Sequence, residues 1–130
     1  MMHTQLSEVE NELGNAVYDV AFKIHRKLGP GLLEKVYEEC FCYELFLRNI
    51  PFKKQVKVPI HYEDLEIENG LRLDILVDGK IIVELKAQEN NHAVWEAQLL
   101  SYLKLTGLRL GYIINFHTPL IKDGIKRRIL

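Results

Sequence analysis

Residues 71–86 constrain this chain more than any other stretch. They read Leu-Arg-Leu-Asp-Ile-Leu-Val, then Asp-Gly-Lys, then Ile-Ile-Val-Glu-Leu-Lys. Two runs rich in Ile, Leu and Val around Asp78-Gly79 predict a β-hairpin with strands 71–77 and 81–86. Inside these apolar runs lie Asp74, Glu84 and Lys86. Burying such groups is costly unless they are paired or bind an ion. Side chains alternate along a strand, so Glu84 and Lys86 share one face, against Ile81, Val83 and Leu85. Asp74 shares a face with Arg72, against Leu71, Leu73, Ile75 and Val77.

The turn decides whether the acids meet. A two-residue turn at Asp78-Gly79 sets Asp74 opposite Val83. A three-residue loop, 78–80, sets it opposite Glu84, and directly opposite residues point the same way. The longer loop is a common hairpin connection and matches the apolar faces to each other, so it is the register predicted. Two carboxylates then converge beside a lysine. Hard cations such as Mg²⁺ and Mn²⁺ take oxygen ligands of this kind. Spacing alone leaves a second reading open, a cross-strand salt bridge on a solvated sheet face.

The rest of the chain supplies helices to cover the sheet. Ser7-Glu8-Val9-Glu10 fits a capping box, and Val9, Leu13, Val17, Val20, Ile24 and Leu28 form one apolar stripe. Gly29-Pro30-Gly31 ends that helix. A second helix is predicted over about residues 32–48, with Leu33, Val36, Tyr37, Cys40, Phe41 and Leu47 on its buried side. Residues 53–60 alternate imperfectly, and Pro59 marks an edge strand or a strand end. A polar turn region follows over 63–70. A third helix is predicted over about 92–105 and a further apolar strand over 109–116; the basic tail, 122–130, adds a last short strand. The order α-α-β-β-β-α-β is that of an α/β domain, a mixed sheet with helices on its faces.

With 130 residues, 48 % hydrophobic and 27 % charged, the chain is read as one globular domain over 1–130. Its apolar runs are too short to span a bilayer, and its N-terminus has no secretory pattern, so no membrane association and a cytoplasmic setting are expected. Cys40 and Cys42, at i and i+2 of a helix, do not face each other, which argues against a disulfide. A net charge of −1 argues against a dedicated nucleic-acid coat but leaves room for a local basic groove. Lys53, Lys54, Lys57, Lys122, Lys126, Arg127 and Arg128 are candidate phosphate contacts, or equally a charged edge that discourages strand pairing.

Asp74, nine residues, then Glu84-Leu85-Lys86 resembles the PD-(D/E)XK nuclease superfamily. Gly31-Leu32-Leu33-Glu34-Lys35-Val36-Tyr37 resembles the signature of its GxxExxY family. The likeness runs on through residues 25–30, Arg72-Leu73-Asp74, residues 98–103, Asn115-Phe116 and residues 124–127, and so covers nearly all of the chain beyond the first dozen residues. It implies a restriction-endonuclease-like fold. It also implies a Mg²⁺ or Mn²⁺ site of Asp74, Glu84, Glu34 and the Leu85 carbonyl, with Lys86 as the catalytic lysine. Gln98 and Tyr102 match a Gln-x-x-x-Tyr pattern of related nucleases. At i and i+4 they share a helix face, with Trp95 on the same stripe. Glu34 and Tyr37, at i and i+3, also face together, and His25 is read as a hydrogen-bonded structural residue.

The activity so implied is metal-dependent hydrolysis of nucleic-acid phosphodiesters, with DNA ahead of RNA as the partner. The competing reading is a non-catalytic module that keeps the nuclease fold and binds nucleic acid or protein. A chain this small has little room for a separate specificity domain, which leaves a place for a homodimer mate or a protein partner.

Overall fold

The computed structural model describes residues 5–130. The elements are α1 (Glu8–Leu28), α2 (Glu34–Leu47), β1 (Phe52–Tyr62), β2 (Leu65–Val77), β3 (Ile81–Lys86), α3 (Ala93–Thr106), β4 (Leu110–Asn115), a 3-10 turn (Ile121–Asp123) and β5 (Ile125–Ile129). The five strands form one sheet in the order β1-β2-β3-β4-β5. Only β3 and β4 are parallel, with α3 as their crossover; the other neighbours are antiparallel. This is the restriction-endonuclease-like mixed sheet with helices on its faces. No helix among the described residues is long and apolar enough to cross a membrane.

The central strands explain the layers. β3 and β4 are apolar on both sides, as strands covered on both faces must be. Ile81, Val83, Leu85, Leu110, Tyr112 and Ile114 pack with α1 and α2, through Val17, Val20, Ile24, Tyr37, Phe41 and Leu45. Ile82 and Ile113 point the other way, into a smaller cluster with Trp95, Leu99 and Leu103 of α3.

The ends of the helices follow local chemistry. Ser7 caps α1 reciprocally with Glu10, through Glu10 N–H to Ser7 Oγ at 3.0 Å and Ser7 N–H to Glu10 Oε1 at 2.7 Å. At the other end Gly29 takes φ +72° with extended ψ, a positive φ but not a left-handed helical cap. His92 precedes α3, and Gly107 closes it in the left-handed conformation.

Three expectations need correction. The second helix starts at Glu34, not Leu32, and Leu33, Val36 and Leu47 are exposed, as are Val9 and Leu28 of α1. Apolar residues occur all round α2, so periodicity does not choose a face; Tyr37, Phe41, Cys42 and Leu45 are the ones buried. β2 begins at Leu65, and only Glu63-Asp64 turns, so β1 and β2 form a long ribbon through the expected loop. Finally, the faces of β2 do not alternate throughout. Leu71 and Leu73 pack toward α3, whereas Ile75 and Val77 pack toward α1 and α2. The switch falls at Asp74. Gln55, at the matching position of β1, has φ +53° and no ladder partner. The ribbon twists there, and residues on either side change faces.

Both free thiols lie on α2; Cys42 is buried, which pushes its pKa up to about 11. Pro59 sits on the edge strand, where the β1–β2 register shifts between Val58 and Ile60.

At the far end of the sheet residues 116–124, with the 3-10 turn among them, carry the chain from β4 back to β5. A Cβ on Gly124 would lie 2.2 Å from the Asn115 carbonyl oxygen, a backbone atom with no rotamer to yield. Gly124→Ala is therefore expected to destabilise the protein by about 1–3 kcal/mol, the range of forced overpacking. Urea denaturation followed by circular dichroism checks this; a midpoint equal to wild type would show that the turn relaxes freely.

Candidate metal and phosphoester site

The hairpin loop has three residues, with Asp78 and Gly79 at positive φ and Val77 paired to Ile81. The register continues through Leu76 with Ile82 and Ile75 with Val83. The next pair would be Asp74 with Glu84. Here the backbones part. Asp74 N–H donates to Glu84 Oε2 at 2.9 Å, and Leu85 N–H donates to Asp74 Oδ2 at 2.9 Å. Each carboxylate thus takes the place of a ladder carbonyl on the opposite strand. One oxygen of each acid is committed to this exchange, and the other, Asp74 Oδ1 and Glu84 Oε1, is not.

The opening holds a cleft of about 480 Å³ lined by Glu34, Asp74, Glu84, Lys86, Gln98 and Tyr102 together with Lys57, Asn69, Leu71 and Arg72. Six side chains singled out in the sequence, from α2, β2, β3 and α3, are thereby brought to one cleft. Leu85 is not among the lining residues; its side chain is in the core and its N–H holds Asp74.

Electrostatics mark the acids as strained together. Burial, and then the charge of Asp74, push Glu84 up to about 8. Burial also raises Asp74, against the lowering effect of the Leu85 N–H. Glu34 is raised by burial and then by Asp74. Tyr102 is raised by burial and then by the charges of Glu84 and Asp74, with a hydrogen bond to Gln98 acting the other way. Among the described residues Lys86 forms no ion pair with either acid. Its ammonium instead sits 5.5 Å from the centre of the Trp95 ring. The salt-bridged sheet face therefore does not describe this geometry.

Buried acids with unused oxygens and no paired cation fit a hard divalent ion chemically. Among the described residues, however, no three His, Cys, Asp or Glu side chains converge closely enough to enclose an ion by themselves. Glu34 lies within the electrostatic reach of Asp74 rather than in a closed ligand cage. The donor set would be two carboxylates completed by carbonyl, water or substrate oxygen, as Mg²⁺ often accepts.

The sequence around Glu34 explains its placement. Gly31 takes φ +100°, a conformation that other residues rarely adopt. The Tyr37 hydroxyl donates to the Gly29 carbonyl at 2.6 Å and accepts from Leu32 N–H at 3.1 Å. The ring itself stacks on Phe116, centroids 4.4 Å apart. Tyr37 is therefore buried below the loop while Glu34 faces the cleft; the two do not act at one place.

Other residues fall outside the cleft. His25 Nε2 lies 2.7 Å from the Thr118 carbonyl, a structural contact, and Trp95 is a core aromatic beneath Lys86. Of the candidate phosphate contacts, Lys57 lines the cleft, while Lys54 pairs with Glu39, Arg128 with Glu96, and Arg127 hydrogen bonds to Tyr112.

Sequence reasoning gave no role to Asn115, the residue that fixes the loop after Lys86. Its Oδ1 accepts from Gln88 N–H and His117 N–H at 3.1 and 3.2 Å. Its Nδ2 donates to the Gln88 carbonyl and to Asn91 Oδ1 at 2.9 and 3.0 Å. A fully buried Asn ending an apolar strand was the available signal, because such a group must find partners.

A family model described as the PD-(D/E)XK nuclease superfamily matches residues 11–128. Neither the curated proteins nor the solved structures gave a match to the chain.

Two outcomes follow from this geometry. Glu84 holds its proton to about pH 8 in the folded protein but only to an ordinary carboxylate value when unfolded. The stability this gives is complete below about 4.5 and is lost as pH rises through about 8. In EDTA the melting temperature should fall across that window by the equivalent of a few kcal/mol. Glu84→Gln should flatten the fall, and Mn²⁺ at pH 8 should reverse it. A wild-type profile as flat as that of Glu84→Gln would refute the raised proton affinity. Separately, Tyr37→Phe should cost about 1–3 kcal/mol through the two lost loop hydrogen bonds. Chemical denaturation measures this, and a cost near zero would mean that stacking on Phe116 suffices.

Proposed function

Because the chain belongs to the PD-(D/E)XK nuclease superfamily, we propose that it is a metal-dependent nuclease acting at the cleft between β2 and β3. The observation that carries this reading is the parting of the two strands at Asp74 and Glu84, which leaves acid oxygens and the unpaired Lys86 facing one opening. The Gly31, Glu34 and Tyr37 pattern further supports a place among GxxExxY proteins.

In this reading Asp74, Glu84 and the Leu85 carbonyl, with Glu34 beside them, hold Mg²⁺ or Mn²⁺. When bound, such an ion lowers the pKa of a water and polarises a phosphoryl oxygen. Lys86, kept from the acids by its seat over Trp95, orients the attacking water and meets the charge that develops on phosphorus oxygens. Gln98 and Tyr102 offer amide and hydroxyl donors from α3, and burial raises the Tyr102 pKa further above its ordinary value. Water oxygen joins phosphorus, one ester P–O bond breaks, and the leaving oxygen takes a proton. DNA is the substrate proposed ahead of RNA.

Cleavage of labelled single- and double-stranded DNA and RNA in Mn²⁺ or Mg²⁺ tests the assignment. Asp74→Ala and Lys86→Ala should each lower the rate by at least about 100-fold, the scale of losing a positioned charge or proton-transfer group. Metal-dependent activity that survives both changes would point to a contaminant. Nucleic-acid binding without metal and without cleavage of any strand would make the chain a non-catalytic module instead.

A further inference from the structure

The long β1–β2 ribbon carries a charge arrangement that the chemistry above does not use. Lys57 and Arg72 are direct partners in the β1–β2 register. Their Cβ atoms are therefore roughly 5 Å apart on one face, where like charges repel. On the other face of the same stretch, Val56, Val58, Leu71 and Leu73 pack toward α3. Both cations are exposed, and both line the cleft that holds the acids. Among the described residues neither forms an ion pair. Arg72 is near enough to lower the pKa values of Asp74 and Glu34, but it forms no ion pair with either. Two cations held face to face at a cost, with no internal anion between them, are suited to an external one.

We propose that Lys57 and Arg72 together grip a single phosphate group of the bound strand, next to the linkage that is cut. The proposal rests on the nuclease reading for the occupant of the cleft. The geometry favours one shared phosphate over two separate contacts, because the side chains start about one strand spacing apart and line the same cleft. Arg supplies two parallel donors to phosphate oxygens, and Lys adds a point charge. Lys57 and Arg72 attract phosphate into the cleft that the acids also line. A strand is thereby placed with one phosphate on the ribbon and the next group toward Asp74. The phosphate is either a terminal monoester or an internal diester, and the two share this chemistry.

The test is binding of fluorescent single-stranded oligonucleotides by anisotropy, in EDTA, over a salt series. It uses the wild type, Lys57→Gln, Arg72→Gln and the double variant, with melting curves to confirm folding. One neutralised phosphate contributes about 0.7 to the slope of log K against log salt for a single strand. The double variant should lose about that much, and neither single variant more. Slopes equal to wild type overturn the proposal, and so does a loss in the double variant of twice that size, which would mean two independent contacts. A loss seen only with 5′- or 3′-phosphorylated ends assigns the terminal monoester; a loss retained on circular single strands assigns the diester. Cleavage in Mn²⁺ is measured in parallel. Slope loss without wild-type cleavage leaves the subsite standing while the nuclease reading falls. Cleavage with unchanged slopes does the reverse, and no binding by the wild type overturns the subsite outright.

Discussion

The molecule turns on the exchange in which two carboxylates stand in for backbone carbonyls. An antiparallel ladder normally closes with N–H to C=O pairs, and an unpaired buried amide is costly. At Asp74 and Glu84 the amides are satisfied by side chains instead, so β2 and β3 can diverge without leaving donors orphaned. The cleft opens beside this exchange, and burial raises the proton affinity of both acids against the lowering effect of the amides they satisfy. It also couples fold to chemistry: changing either acid removes a carboxyl group from the cleft and a strand contact together. For that reason rate losses in Asp74 variants should be read beside melting curves, and Lys86, which ties no strand, is the cleaner probe of chemistry.

Around this opening the fold works as a set of braces. α1 and α2 fix the sheet from one side and present Glu34; α3 covers the other and presents Gln98 and Tyr102. β3 is held between β2 and β4, and the Phe116 N–H donates to the Lys86 carbonyl at 2.9 Å, so the lysine leaves a strand that is anchored to its last residue. Trp95 supports the ammonium from below. The reacting groups thus come from four elements whose packing is mostly apolar.

Much of this was legible in the amino-acid order. The hairpin register followed from matching apolar faces, and the capping box and glycine stops set the helices. The acids and lysine stood out because charge is rare inside such strands. Glu34, Gln98 and Tyr102 came from family resemblance and could not be placed by spacing, since each joins the cleft through tertiary packing. What periodicity missed had physical reasons. α2 is apolar all round, so Leu33 and Phe41 look alike in sequence, though one is exposed and the other is core. The face switch of β2 depends on a backbone twist at Gln55 that no side-chain pattern announces. The β1–β2 ribbon runs through Glu66, Glu68 and Asn69, which read as loop because polarity in an exposed ribbon mimics a turn.

Asn115 has a consequence for how this protein can vary over generations. It presents two acceptances and two donations to four groups in a space with no solvent. Asp lacks the donors, Ser lacks the reach, Gln is a methylene too long, and His divides its two nitrogens differently. Surface helices can drift under such conditions while this position cannot, so the loop beside Lys86 should be among the slowest-changing parts of the chain. Its constancy would then record the demands of a hydrogen-bond knot, and residue invariance near the cleft would have to be divided between that knot and the chemistry it holds in place.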